Sequence, residues 1–150
     1  MRVTIQRVSE ASVTIGGIVK SFIGNGLLVL AGFEETDTID DLEWMAGKIV
    51  NLRIFTDEND LMNLSVKDTN GDVIVVSQFT LHAMTKKGNR PSFIRAAKPD
   101  VAMPLYEKFI FLAARELGKS IGTGEFGADM KVALVNDGPV TINIDSKIKE

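Results

Sequence analysis

The stretch Val73-Ile74-Val75-Val76-Ser77-Gln78-Phe79-Thr80-Leu81 changes from uniformly apolar to mainly polar at Ser77. Residues 73–78 are therefore predicted to form a short buried strand that ends at polar side chains. Residues 27–32 (Leu-Leu-Val-Leu-Ala-Gly) are almost entirely apolar, which is typical of a strand buried on both faces. Together these two runs predict a sheet with a buried centre.

The segments around these runs predict more strands and two helices. Alternation at Val3, Ile5 and Val8 indicates a first strand, and Gly16-Gly17 predicts a tight hairpin between residues 13–15 and 18–22. Residues 131–135 and 140–144 are predicted to form two strands, separated by Asn136-Asp137-Gly138-Pro139.

Two longer segments have the periodicity of amphipathic helices. Residues 37–51 carry an apolar stripe (Ile39, Leu42, Ala46, Ile49), with acidic residues at the start that suit the helix dipole. Residues 100–118 carry a second stripe (Val101, Leu105, Phe109, Leu112), and Gly118 is the predicted stop. The expected fold class is α+β, a β-rich single domain over residues 1–150 with two helices covering a sheet.

Composition excludes several kinds of function. The 150 residues are 45% hydrophobic and 25% charged, which is ordinary for a folded domain. Cysteine is absent, so thiol nucleophiles, disulfides and thiolate metal sites are excluded. The single histidine, His82, leaves no multi-histidine zinc site, and we expect neither metal nor cofactor. A net charge of -3 gives no general support for nucleic-acid binding, although a local basic face is compatible with it.

The sequence contains no recognisable targeting or membrane-spanning segment. Arg2, Arg7 and Glu10 interrupt the N-terminal region, which lacks the apolar stretch of a signal peptide. The longest apolar runs, such as residues 109–114, are far shorter than the ~20 residues that cross a bilayer. We therefore expect a cytoplasmic protein without membrane contact.

The polar residues after the central strand are the first candidate site. Backbone N–H groups at the end of a strand, assisted by the Ser77 hydroxyl, could stabilise an oxyanion. The alternative is that Ser77 and Thr80 only cap the strand. A nucleophilic pair of Thr80 and His82 is also conceivable if both lie on one strand, but no acid is placed to orient the ring, which favours a packed or exposed lone histidine.

Two further loops carry candidate binding residues. Lys86, Lys87 and Arg90 could contact phosphate, or they could simply form a solvated loop. At Gly138-Pro139 a trans peptide bond is the default, whereas a cis bond would present adjacent carbonyls suited to an ammonium group. Residues 122–128 could approach a ligand closely, but they lack the spacing of a nucleotide-binding loop.

The paired motifs Ser77-Gln78-Phe79-Thr80-Leu81 and Gly138-Pro139-Val140-Thr141 resemble the signatures of D-aminoacyl-tRNA deacylases. The resemblance extends over nearly the whole chain, although the tail Ser146 to Glu150 lies outside it. The supporting stretches are Gly26-Leu27-Leu28-Val29-Leu30, Leu52-Arg53-Ile54-Phe55, Gly88-Asn89-Arg90-Pro91-Ser92-Phe93 and Thr123-Gly124-Glu125-Phe126-Gly127-Ala128-Asp129-Met130.

The resemblance implies a mixed or antiparallel, barrel-like sheet and a homodimer with active sites at the subunit interface. It implies hydrolysis of the ester between a D-amino acid, or glycine, and the 3'-terminal adenosine of tRNA. Ser77, Gln78, Phe79 and Thr80 would form the catalytic end of the pocket, with Ser77 and the Phe79 N–H facing the carbonyl. Lys86, Lys87 and Arg90 would contact tRNA.

The resemblance also implies how L-amino acids are rejected. Carbonyls of Gly138 and Pro139 from the partner would hold the α-amino group, with Val140 and Thr141 in the same substrate-binding loop. An L side chain would then collide with the proline wall. The 2'-hydroxyl of the terminal ribose would assist the hydrolysis. Three alternatives stay open: a chirally relaxed relative with a trans Gly138-Pro139 bond that clears an L-aminoacyl-tRNA, a nucleic-acid-binding module without activity, and a small-ester hydrolase that uses Thr80 and His82.

Overall fold

The computed structural model describes residues 1–150, which form eight β-strands, two α-helices and one short 3₁₀ helix. The strands are β1 (Arg2–Ile15), β2 (Ile18–Ile23), β3 (Gly26–Gly32), β4 (Phe55–Thr56), β5 (Met62–Leu64), β6 (Asp72–Ser77), β7 (Gly122–Thr123) and β8 (Lys131–Asp145). The α-helices are α1 (Ile39–Asn51) and α2 (Pro99–Leu117), and the 3₁₀ helix spans Phe79–His82.

Six strands form one mixed sheet in the order β2-β1-β3-β6-β7, with β8 running antiparallel beside β1. Strands β3 and β6 are parallel, so the two apolar runs recognised in the sequence lie side by side at its centre. The edges β2 and β7 approach each other: Ser21 Oγ donates to the carbonyl of Thr123 (2.6 Å) and accepts from its N–H (3.1 Å). This contact nearly closes the sheet, which confirms the predicted barrel-like α+β architecture.

Two apolar clusters stabilise the sheet on its two faces. The larger cluster joins the sheet to both α-helices and includes Leu27, Val75, Leu42 and Phe109, all at most 1% exposed. The smaller cluster includes Val8, Leu28 and Ile74 and fills the inside of the curved sheet. Burial on both faces explains why the central strands are continuously apolar.

The predicted helices are confirmed, with one correction at an N-terminus. Helix α1 begins at Ile39 rather than at residue 37, because Thr38 and Asp41 form a reciprocal capping box. Asp37 lies outside the helix, where it is buried and binds the α-amino group of Met1. Gly118 ends α2 in the left-handed conformation (φ 81°), as predicted.

The predicted division of the first and last strands is wrong. Residues 2–15 form one long strand, and residues 131–145 form another that pairs with it along its length. The pairing jumps from Gln6↔Thr141 to Val8↔Asn136, so residues 137–140 protrude as a bulge inside the last strand rather than separating two strands. The short strands β4, β5 and β7 carry no clear alternation and were not predicted.

Candidate active site

The segment after β6 is held against the end of β3. The Gln78 N–H donates to the carbonyl of Ala31 (2.7 Å), and the chain then turns into the 3₁₀ helix. Gly32 makes this packing possible, because a Cβ there would lie 2.7 Å from the Gln78 carbonyl oxygen and 3.1 Å from the His82 ring. The glycine therefore allows the polar segment to reach the sheet edge.

A cavity of about 610 Å³ opens beside this segment. Ser77 and Gln78 provide polar groups in a lining that is mostly apolar, as is common in small-molecule sites. Phe79, which is 57% exposed, contacts Phe93 edge to face at a centroid distance of 5.1 Å. The rest of the lining comes from the ends of β3 and β6, from the segment 126–130, and from Phe33, Ala96, Ala97, Pro99, Ala102 and Val132.

Three of the four predicted catalytic residues, Ser77, Gln78 and Phe79, line this cavity. Thr80 is exposed beside them and accepts a hydrogen bond from Gln78 Nε2 (2.6 Å). The expected extended strand from Thr80 to His82 is wrong, because the chain forms a 3₁₀ turn here.

His82 is packed inside the domain with no exposed surface, and neither ring nitrogen makes a hydrogen bond. Burial lowers the pKa of His82, and the Gly32 carbonyl and the Glu34 carboxylate oppose this shift in part. Glu34 Oε1 lies 3.5 Å from His82 Nδ1 and also contacts Arg95 Nη2 (2.7 Å). No local pattern predicts this acid, because Glu34 and His82 are 48 positions apart and meet only through the sheet.

The Gly138–Pro139 peptide bond is cis, and both residues are exposed. The trans bond on which the chirally relaxed alternative depended is not found at this position. The Asn136 side chain fixes the bulge: its Oδ1 accepts from the Val140 N–H (2.8 Å), and its Nδ2 donates to Thr141 Oγ1 (2.9 Å).

The Gly138–Pro139 bulge does not line the cavity of its own chain. Val132 borders the cavity, and Gly138 lies six positions further along the same strand, roughly 20 Å away in extended backbone. The structure therefore brings Ser77, Gln78 and Phe79 together but leaves the second signature outside their pocket. Arg7, which the sequence analysis did not single out, donates from Nε to the Asp137 carbonyl (2.8 Å) beside the bulge.

The predicted basic residues lie on an exposed loop that precedes Phe93 in the chain. Lys86, Lys87 and Arg90 are all exposed, and a two-residue bridge between Met84 and Ser92 closes the base of their loop (2.8 and 3.0 Å). The loop leads directly to Phe93 at the cavity.

No group of three or more histidine, cysteine, aspartate or glutamate side chains is arranged to hold a metal ion. No helix is long and apolar enough to cross a membrane.

The fold and the site define a small α+β domain with a ligand pocket at the ends of two parallel central strands. Comparison with known proteins then identifies the family. Residues 4–145 match the family described as D-Tyr-tRNA(Tyr) deacylase. The chain belongs to this family.

Similar proteins cover the whole chain. The D-aminoacyl-tRNA deacylases of Flavobacterium johnsoniae and Bacteroides thetaiotaomicron are 64% and 61% identical over 150 residues, which is all of this chain and all of each relative. A solved structure titled c-Myc DNA Unwinding Element Binding Protein is 43% identical, with a TM-score of 0.89 over 97% of this chain and 98% of that one. A probable eukaryotic D-amino acid tRNA deacylase at 20% identity (TM-score 0.82, 95% and 97% covered) shares the fold.

Proposed function

We propose that this protein hydrolyses the ester bond of D-aminoacyl-tRNA and releases the free amino acid and tRNA. The observation that carries the proposal is the position of Ser77, Gln78 and Phe79 in the lining of a mostly apolar cavity, in a chain of the deacylase family. Glycyl-tRNA is proposed as a second substrate, because glycine has no side chain for the pocket to exclude. The cytoplasm, where tRNA is used, is the proposed location.

The proposed chemistry uses oriented groups rather than a strong side-chain nucleophile. The Gln78 N–H is occupied by the Ala31 carbonyl, so we assign oxyanion stabilisation to the Phe79 N–H and the Ser77 hydroxyl. Thr80 has no base beside it, since His82 is enclosed and faces Glu34. This supports assistance by the ribose 2'-hydroxyl of the substrate, whose position next to the ester supplies the proximity that catalysis needs.

The second signature is proposed to act in the pocket of a partner subunit. Its exposure, and its distance from the cavity of its own chain, support a homodimer in which each Gly138–Pro139 bulge enters the other subunit's site. The carbonyls of Gly138 and Pro139 would then hold the α-amino group. With the amino group and the ester both fixed, an L side chain would be directed against the loop while a D side chain has room.

Binding of the tRNA itself is assigned to the exposed loop with Lys86, Lys87 and Arg90. These cations are close in sequence to Phe93 at the cavity, so a phosphate bound there would lie near the 3' end of the tRNA. The overall charge of -3 favours such a local contact over binding across the whole surface, because the rest of the surface would not attract a polyanion.

The test is deacylation by the purified protein of D-tyrosyl-tRNA, glycyl-tRNA and L-tyrosyl-tRNA in parallel. We expect fast hydrolysis of the first two and little of the third. Equal rates on the D and L esters would refute chiral selection. Protection of the ester instead of cleavage would indicate a binding module, and cleavage of simple esters that lack tRNA would favour the small-ester alternative.

A further inference from the structure

The carboxylate of Glu34 links its own segment to two others, and each of the three contributes residues to the cavity lining. Its Oε1 contacts both Nη2 (2.7 Å) and Nε (3.0 Å) of Arg95 and lies 3.5 Å from Nδ1 of His82. The Glu34 side chain is only 12% exposed, and its backbone N–H donates to Asp37 Oδ2 (2.8 Å). The Glu34 backbone is thus held by Asp37, and its carboxylate faces His82 and Arg95, which lie in two segments distant in sequence.

Each of these segments carries part of the cavity lining. The 3₁₀ helix with His82 begins at Phe79, and the segment with Arg95 contains Phe93, Ala96 and Ala97. Phe33, the residue before Glu34, forms the third wall. The Ala97 N–H donates to the Phe33 carbonyl (2.9 Å), so this backbone bond and the Glu34–Arg95 pair fasten the same two walls together.

We propose that Glu34 is a positioning residue: its carboxylate holds the 3₁₀ helix and the 93–97 segment at the spacing that substrate binding requires. The inference rests on the proposed function, because it assigns a role in that same pocket. Glu34 does not line the cavity, so it acts through Phe79 and Phe93, which do, and whose edge-to-face contact joins the two walls at the surface.

If the Glu34–Arg95 pair served only to stabilise the domain, its loss would lower the global stability. Arg95 is 44% exposed, and water screens a pair of this kind, so the pair contributes little to global stability. Its geometry is specific, however, since a guanidinium directs two N–H groups at one acceptor where an ammonium offers a point charge. Loss of the carboxylate is therefore expected to move the walls rather than to unfold the domain.

The test compares Glu34→Gln with Glu35→Gln, in which the neighbouring exposed carboxylate is neutralised instead. In Glu34→Gln we expect faster amide exchange at Ala97, Met84 and Ser92, with unchanged exchange in β1 and β3. We expect KM for D-tyrosyl-tRNA to rise more than kcat falls. The combined loss in kcat/KM should be about tenfold or more, since a wall displaced by 1 Å can cost on the order of 100-fold. Glu35→Gln should match the wild type.

Two further measurements keep the proposal falsifiable. Arg95→Ala should raise KM for D-tyrosyl-tRNA. Arg95→Lys, which retains the charge, should raise it less. The NMR titration of His82 should shift to lower pH in Glu34→Gln, because the carboxylate raises its pKa while Arg2 and the Met1 amino group lower it.

Unchanged amide exchange together with an unchanged KM in Glu34→Gln would overturn the positioning role. A fall in the unfolding midpoint with unchanged KM would make Glu34 a structural residue only, which also overturns it. If the wild type lacked deacylase activity, the proposed function would fail, while the exchange and titration measurements would still decide the role of Glu34.

Discussion

Arg7 Nε donates a hydrogen bond of 2.8 Å to the main-chain carbonyl of Asp137. The same guanidinium donates from Nη1 to the carbonyl of Ile54 (2.6 Å), so one side chain on β1 joins the 137–140 bulge to the segment that follows α1. The bond from Nε holds Asp137, the residue that immediately precedes the Gly138–Pro139 peptide. The bulge is therefore supported both by Arg7 and by the side chain of Asn136, the residue that precedes it.

Replacing Arg7 by methionine should reduce deacylation strongly while it leaves the fold intact. Hydrogen bonds from charged groups contribute about 1.5–3 kcal/mol, and their loss frees the bulge that is proposed to reach the partner's substrate. The measurement is kcat/KM on D-tyrosyl-tRNA beside the unfolding midpoint. Arg53→Met is the matched control, since Arg53 also donates to a main-chain carbonyl, that of Asn63 (2.9 Å), away from the bulge. Equal losses in both variants would contradict a specific role for Arg7.

Thr80→Ala should retain measurable turnover, whereas removal of the 2'-hydroxyl from the terminal ribose should nearly abolish it. Thr80 Oγ1 accepts from Gln78 Nε2, and the only histidine is buried away from it, so no base activates the hydroxyl. Single-turnover rates on tRNA with a 3'-terminal ribose or 2'-deoxyribose provide the comparison. Isolation of an acyl-Thr80 intermediate would show the opposite mechanism.

Gly32→Ala should destabilise the domain and displace the 3₁₀ helix. The new Cβ would lie 2.7 Å from a main-chain oxygen of Gln78, and relief of such overpacking costs about 1–3 kcal/mol. Urea unfolding and deacylation should both report the change. Gly47→Ala in α1 is the control: nothing lies within 4 Å of its added Cβ, and alanine favours a helix by about 1 kcal/mol over glycine. Equal stability of the two variants would refute the packing argument.

The buried histidine should make stability depend on pH in a defined window. The pKa of His82 is lowered in the fold, so below its unfolded value of about 6.5 the unfolded chain binds more protons. The contribution of neutral His82 is thus complete above about pH 6.5 and is lost as the pH falls toward the lowered pKa. The difference in the free energy of unfolding between the wild type and His82→Leu should be constant from pH 8 to about pH 6.5 and should change only at lower pH. If the free energies of unfolding of both proteins changed in parallel over the whole range, the pH dependence could not be assigned to His82.

The origin of each half of the site can be tested by mixing two inactive variants. Ala96→Trp fills the cavity without replacing the fully buried Ala31, and Pro139→Arg places a bulky charge on the exposed bulge. On the proposed homodimer, each variant alone should be nearly inactive, while the purified heterodimer of the two should regain one complete site of two. Folded, associated heterodimers without recovered activity would mean that the bulge serves its own chain.

Local sequence patterns were sufficient to predict the strands and helices whose formation depends on burial and capping. Continuous apolar runs predicted β3 and β6, and the residue spacing predicted both helices and the stop at Gly118. The polar change at Ser77 predicted a site at the end of the central strand, and Ser77 and Gln78 do line a cavity. These features follow from the sequence because each depends on side chains within a few positions of one another.

Contacts between distant segments were decided only by the tertiary structure. Glu34 meets His82 and Arg95 because the parallel pairing of β3 and β6 brings the ends of both strands to one edge. Arg7 reaches Asp137 because β1 and β8 pair along their length around a bulge, which no local pattern encodes. The local sequence thus determined which segments form strands and helices. The pairing of the strands determined which side chains meet, because register and sheet closure depend on the simultaneous packing of the whole chain.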